Sequence, residues 1–425
     1  MSTLTPADLA SPAFRENPWP YYAQLRKQTP VHTMTFADRK PAWLILRHAD
    51  VAHALKDPRL AKNPFKALSP EERKKAVPWT PGFLKPLTMS MLDQDPPDHT
   101  RLRGLVHKAF TPGTIEKLRQ GIEARCDELL ARAKAKGEMD LVGDYALPVP
   151  LFVITEMLGI PVEDRHRFRK WTDKMVGASQ PSDLIFAIPA LWAFLRYVRS
   201  LVAKRRKALG DDIISALIRA EEGGDRLSED ELVAMVFLLL VAGHETTVNL
   251  ISLGTLAMLD QPEAWERLRD EPELMPSAVE ELLRFTSVVE FGTERYTTVD
   301  TDVGGVVIPK GQRVFGHVGS ANHDETVFED PETLRLDRKP NHHLTFGGGA
   351  HYCLGAPLAR MEAQIAFRAL VREAPALRLA VPRSEVRFRK GIALRSLRTL
   401  PVVLPRAERP RHAPVERSAE VHAAL

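Results

Sequence analysis

The chain has 425 residues, 44% of them apolar and 27% charged, with a formal net charge of +4. This is the composition of a soluble globular protein long enough to enclose a deep pocket, and it excludes wholesale disorder. The small positive excess is not gathered into a basic stripe with interleaved aromatics, which argues against nucleic-acid binding, while two cysteines, Cys126 and Cys353, exclude a disulfide framework, an iron–sulfur cluster and a Cys-rich zinc site.

The opening segment, MSTLTPADLASPAFRENPWPYYAQLR, lacks a basic region followed by an apolar one, so neither signal peptide nor membrane anchor is expected and the protein is expected in the cytoplasm. Next, PAWLILRHADVAHALKD predicts a strand followed by a helix. From Arg59 to Met91, prolines 64, 70, 78, 81 and 86 interrupt any sustained period, which predicts a long irregular segment with short helical pieces, the kind of loop that covers or lines a binding site. Helical spacing then dominates from His99 to about Phe285. Within it, the run from Leu232 to Leu259 is almost wholly apolar except for Gly243, His244, Glu245, Thr246, Thr247 and Asn249. Its length suits a membrane span, but polar groups at the midpoint would be penalised in hydrocarbon, so a central helix buried in protein is expected.

After Phe285, ERYTTVDTDVGGVVIPKGQRVFGHV alternates β-branched residues with glycine turns, as in a small sheet with hairpins; LRLAVPRSEVRFRK and TLPVVL predict a further strand pair. Residues 406–425 are charged and rich in Ala and Pro, the texture of a loose tail. With no internal repeat and no Gly/Ser linker, residues 1–405 read as a single domain, mainly α with a minor β region.

The stretch HLTFGGGAHYCLGAPLAR, His343 to Arg360, carries the most chemistry. Three glycines after Phe346 let the backbone turn tightly beside something flat, and Cys353 precedes Gly355 and a helix expected near Pro357. A helix N-terminus stabilises negative sulfur, which predicts a lowered thiol pKa and either metal ligation or nucleophilicity. A lone helical cysteine is usually inert, but the glycine trio, Phe346 and His351 reverse that reading here. The segment resembles the haem-binding signature of the cytochrome P450 family, Phe-Gly-x-Gly-x-His-x-Cys-x-Gly, at every position: Phe346, Gly347, Gly349, His351, Cys353 and Gly355. The resemblance implies a triangular helix-rich body with haem b between a long central helix and the Cys-loop helix. It also implies that Cys353 is the proximal thiolate of the iron, pushing electron density that favours O–O cleavage, and that Phe346 packs against the haem.

Other segments extend the likeness. EELLRF places Glu281 and Arg284 three apart on one helical face, by itself an ordinary surface pair; the resemblance implies a structural pair with Arg338 as third partner and Arg335 as the competing choice. AGHETT resembles the oxygen side of the family's central helix: Ala242 and Gly243 as the small pair, Glu245 as the acid and Thr246 as the alcohol. Gly243 would let the helix approach and bulge, Thr246 would hydrogen-bond bound oxygen, and Glu245 would relay protons. Back-bonding within the helix would account for Thr247, and His244 reads as packing or hydrogen-bonding rather than ligation. His99 and Arg103, one turn apart, can reach the same anion, and the resemblance assigns them with Arg295 and His351 to the haem propionates.

Together these imply a monooxygenase, similar to soluble bacterial macrolide and fatty-acid hydroxylases, that uses O2 on a hydrophobic small molecule such as a fatty acid, terpenoid, steroid or macrolide. No dinucleotide fingerprint or ferredoxin cysteine set is present, so NAD(P)H electrons would arrive through a separate ferredoxin reductase and ferredoxin, the latter docking near Arg101, Lys108 and Arg360. A monomer is expected. A peroxide-driven peroxygenase or a non-catalytic haem sensor fits less well, because neither needs the pair Glu245 and Thr246. The substrate pocket is expected from the 60–91 loop, Leu240, Val241, Val288, Val289, Ile392 and Leu394, with Lys62, Lys66 or Arg389 available to a substrate carboxylate.

Overall fold

A computed structural model describes residues 6–35, 40–68, 71, 82–176, 181–220, 227–392 and 394–404, so the predicted tail and prolines 70, 78 and 81 lie outside the described residues. The fold is mainly helical with small sheets, as the sequence pattern predicts. Its axis is a helix of 31 residues, Glu229–Leu259. Ser228 starts it with a reciprocal cap: its hydroxyl accepts from the Glu231 amide at 3.2 Å while its own amide donates to the Glu231 carboxylate at 2.7 Å. This helix is long and apolar enough to cross a membrane, but 61% of its most apolar window is buried inside the protein. From Thr247 to Met258 it is buried on every side, packed against Pro148–Met157, Met275–Thr286 and Ala356–Glu373. Gly254 makes one crossing possible: a Cβ there would meet the Phe367 ring at 2.7 Å.

The main sheet runs in the order Val31–Thr35, Pro41–Ile45, Arg313–Gly316, Arg295–Thr297, Leu60–Ala61, with one parallel pair, Trp43 opposite Val314. It holds Arg295 facing inward and brings Leu55 and Leu60 beside it. The predicted strand pair near the C-terminus forms as Arg378–Leu379 with Pro401–Val403. Glu138–Asp140 joins them as a third strand, inside the stretch where helical spacing dominates the sequence. The irregular 59–91 segment contains, among the described residues, Leu60–Ala61 and the 3-10 turns Pro64–Ala67 and Gly82–Thr88, with Met91–Asp93 after it.

Candidate functional site

A cavity of about 340 Å³ lies between the long helix and the cysteine loop. Ala242, Gly243, Thr246 and Thr247 face it from the helix, and Phe346, Gly347, His351, Cys353 and Gly355 face it from the loop. The loop's shape follows from its glycines. Gly347 (φ 71°) and Gly349 (φ 64°) are left-handed, and a Cβ on Gly349 would come within 2.8 Å of the Leu55 carbonyl. The Cys353 amide donates to the Phe346 carbonyl at 2.8 Å, closing the turn, and Gly355 caps the helix Ala356–Glu373, one residue before the expected Pro357. Arg360 from that helix stacks 4.5 Å over the Phe346 ring and is clamped by Glu280 at 2.7 Å.

Cys353 is accessible from the cavity it lines but is otherwise surrounded by protein. Contrary to the sequence expectation its thiol pKa is raised, because burial outweighs the amides of Gly355 and Ala356 and the charges of Arg103 and Arg360, which pull it down. Helix-terminus stabilisation is present but is the smaller effect.

One end of the cavity is rich in donors. His99, Arg103, Arg295 and His351 all line it, and the two imidazoles stand 4.2 Å apart. Burial, then His99, pushes His351 down to about 3, and burial with Arg103 pushes His99 down, so both rings are neutral at pH 7. Arg103 donates to the Tyr352 carbonyl at 2.8 Å; Arg295 donates to the Leu55 and Leu60 carbonyls, both at 3.1 Å. The Nε2 atom of His99 and the Nε atom of Arg295 are buried with no acceptor in the protein. Lys62, read from sequence as free for a substrate carboxylate, is instead buried beside this cluster: its Nζ donates to the Glu294 carbonyl at 2.7 Å, and burial with neighbouring Arg295 lowers its pKa to about 8. Lys66 is likewise engaged, with the Asp95 carboxylate at 3.7 Å and the Pro96 carbonyl at 3.2 Å.

The central helix needs several corrections. It is regular α-helix through Gly243, without a bulge, and a Cβ there would make only an ordinary contact, 3.7 Å from Ile154 Cδ1. Back-bonding belongs to Thr246, whose hydroxyl donates to the Ala242 carbonyl at 2.9 Å, and not to Thr247. Glu245 does not share the cysteine cavity. It lines a second cavity of about 240 Å³, with His244, Asn249 and Arg389, where burial raises its pKa to about 7 against the pull of Arg389. His244 is buried and its Nδ1 donates to the Leu240 carbonyl at 2.9 Å, as its packing role requires.

Val288 and Val289 line the cysteine cavity, but Leu240, Val241, Ile392 and Leu394 do not. The helix residues toward the cavity are Leu238, Leu239, Ala242, Gly243, Thr246, Thr247 and Leu250, which recur every three to four residues, so Leu240 and Val241 are rotated off that face. Leu240 is fully buried and Val241 exposed. Ile392 packs near Trp19 and Tyr22, and Leu394 bridges to Val289 from behind.

Residues 15–374 match the family profile described as Cytochrome P450. The chain belongs to the cytochrome P450 family. It is 45% identical over 391 residues to "Cytochrome P450 107B1" of Saccharopolyspora erythraea, covering 92% of this chain and 96% of that protein. The solved structure of the bacillaene polyketide synthase cytochrome P450 PksS of Bacillus subtilis superposes with a TM-score of 0.87 at 41% identity, covering 95% of this chain and 100% of that one. Myxobacterial cytochrome P450 CYP267B1, solved in complex with myristic acid, gives 0.85 at 41% identity, covering 94% and 99%.

The protein is therefore an oxidoreductase of the P450 monooxygenase family, whose cofactor is haem and whose co-substrate is O2. The residues present fit that cofactor: an accessible thiol faces the cavity, and the donor-rich end leaves two buried nitrogen atoms whose missing acceptors a pair of propionates would supply. In this P450 the pair Glu281 and Arg284 is not a surface pair. Both are 0% exposed, joined by two hydrogen bonds of 2.7 and 2.8 Å. Arg338 is the third partner, its Nε 3.0 Å from each Glu281 oxygen. Arg335 contributes only its backbone amide, at 3.0 Å, while its side chain pairs with Glu329 and Asp330.

Proposed function

We propose that this P450 is a haem b monooxygenase that inserts one atom of O2 into a C–H or C=C bond of an apolar molecule of acyl-chain or polyketide type. Its electrons would come from NAD(P)H through a separate ferredoxin reductase and ferredoxin. The observation that carries this reading is that Cys353, Thr246 and the cluster His99, Arg103, Arg295 and His351 all face one cavity. When bound, haem supplies dioxygen binding and activation. The protein's part is to ligate the iron through Cys353, to hold the propionates with those four donors, and to present an apolar wall that includes Leu239, Ile154, Val288, Val289 and Phe291. The myristic acid bound to CYP267B1 and the polyketide synthase to which PksS belongs support an extended apolar substrate. Titrating the ferric protein with fatty acids, polyketide lactones and steroids tests this: one class should give a saturable low-to-high-spin shift. Absence of any haem absorption in the reconstituted protein would refute the reading.

Proton supply follows from the placement of Glu245. Arg389 is exposed and shares the second cavity with Glu245, so this cavity offers a route from solvent to the carboxylate, one residue before Thr246. A carboxyl with a pKa of about 7 is half protonated at neutral pH and can both take and give a proton. Glu245→Gln should lower turnover by about a hundredfold while leaving the spin-shift dissociation constant unchanged. The parent's pH–rate profile should bend near the Glu245 pKa and the variant's should not; equal profiles would remove Glu245 from the relay.

For the redox partner, two of the three cations named from sequence are already engaged: Arg101 pairs with Glu231 and Arg360 with Glu280. Lys108, exposed beside a shallow cleft that includes Pro96, Thr100 and Arg101, is the better candidate for contact with an acidic ferredoxin.

A further inference from the structure

In the run from Val288 to Thr293, every residue lines the cysteine cavity except Glu290. Side chains alternate along extended backbone, so Glu290 points away from Val289, while Phe291, which also borders the cavity, packs its ring 4.5 Å from that of His317. There it is 0% exposed, with Arg15 Nη1 at 2.6 Å and Arg395 Nε at 3.6 Å. Gly319 leaves the room: a Cβ on it would meet Glu290 Cγ at 3.2 Å, His317 Cε1 at 3.1 Å and the Trp19 ring at 3.1 Å. The Arg395 guanidinium lies 4.8 Å over Trp19 and donates to the carbonyls of Thr286, Arg15 and Glu16. The backbone of the run is pinned by the same residues, since Arg395 N donates to the Val288 carbonyl at 2.8 Å and Gly319 N to the Glu290 carbonyl at 3.0 Å.

This enclosure holds two guanidiniums and one carboxylate. His317 is neutral: its Nδ1 accepts from the Ser320 amide at 2.8 Å, which leaves the proton on Nε2, and burial holds its pKa well below the usual range. The Nε and Nη2 atoms of Arg15, the Nε2 atom of His317 and the Oε1 atom of Glu290 have no hydrogen-bond partner. Glu290 is the acid that both arginines share, and moving it would leave buried cations uncompensated. An apolar residue at 290 could be buried in several orientations, whereas a carboxylate held between two guanidiniums has one.

We propose that Glu290 is the positioning residue of the substrate-facing run: held from behind by Arg15 and Arg395, it sets the depth at which Val289 and Phe291 enter the cavity and thereby which ligands fit above the haem. This rests on the reading of the cavity as the haem and substrate site. The test uses two azole probes on the haem-loaded full chain, imidazole, which needs little beyond the iron, and 4-phenylimidazole, whose ring extends toward the cavity wall. Glu290→Asp keeps the charge but shortens the tether by one methylene; Glu290→Gln keeps the length but removes the charge. Imidazole affinity and haem content should match the parent in Glu290→Asp, while the ratio of the two dissociation constants should change by about fivefold or more, the scale of effect expected from a wall displaced by roughly an ångström. An unchanged ratio in both variants overturns the inference. So does failure of both to hold haem, which would make the role one of folding alone. No imidazole shift in the parent would instead refute the haem reading.

Discussion

Cys353→Ala should abolish monooxygenation and the thiolate-type absorption of the reduced carbon monoxide complex, with turnover at the level of protein-free haem. Cys353 is the thiol that lines the cavity, and the only other cysteine cannot replace it. Cys126 is 0% exposed in the core, its thiol pushed up to about 12 by burial. Cys126→Ala should leave the spectrum intact at a small cost in stability, which makes it the matched control. Haem bound to the native state but not to the unfolded chain stabilises by mass action, so Cys353→Ala should also lower the melting temperature of the haem-loaded protein, and it should melt like the parent once haem is removed. A Cys353→Ala protein that kept the thiolate spectrum would place the ligand elsewhere.

What could be read from the chain and what could not separates by range. The cysteine loop was legible because its requirements are local: left-handed turns at Gly347 and Gly349 and a capping Gly355 are needed whatever lies around them. The central helix was legible as a helix, but its orientation was not. Successive residues are rotated by about 100°, so misjudging the face by one position trades Leu239 for Leu240 and sends Glu245 into the neighbouring cavity. The strand Glu138–Asp140 exists because it pairs with Pro401–Val403, and no pattern in three residues announces a partner so distant. Glu290 shows the same limit: Arg15, which binds it, stands 275 residues away, and a glutamate between two valines and a phenylalanine reads in isolation as an exposed side chain. Glu281 and Arg284 sat between these cases, since helical spacing predicted the pair while only the fold could bury it.

That burial makes Glu281→Ala the second large effect. The carboxylate accepts from both nitrogens of the Arg284 fork, from Arg338 Nε, from the Arg335 amide and from Asn341 Nδ2 at 3.2 Å, so each oxygen has several donors and none of that charge reaches solvent. Truncation leaves Arg284, 0% exposed, and Arg338, 8% exposed, as like charges facing a cavity with no anion. Breaking one side of a buried pair costs about 3–5 kcal/mol. Set against a total stability of roughly 5–15 kcal/mol, this is enough to leave much of the chain unfolded or aggregated before haem can bind. Arg284 also donates to the carbonyls of Asn322 and Pro331, and Asn322 in turn holds the Leu344 amide at 2.7 Å, immediately before the cysteine loop. Loss of the anion therefore reaches the cofactor loop through two hydrogen-bonded steps, and haem content should fall further than secondary structure does. Arg335→Ala is the discriminating comparison: it removes surface pairs with Glu329 and Asp330 but keeps the backbone amide on Glu281, so its melting temperature and haem content should match the parent. Equal behaviour of the two variants would mean that the cluster's charges are compensated from elsewhere and that the Cys353 loop is held independently of them.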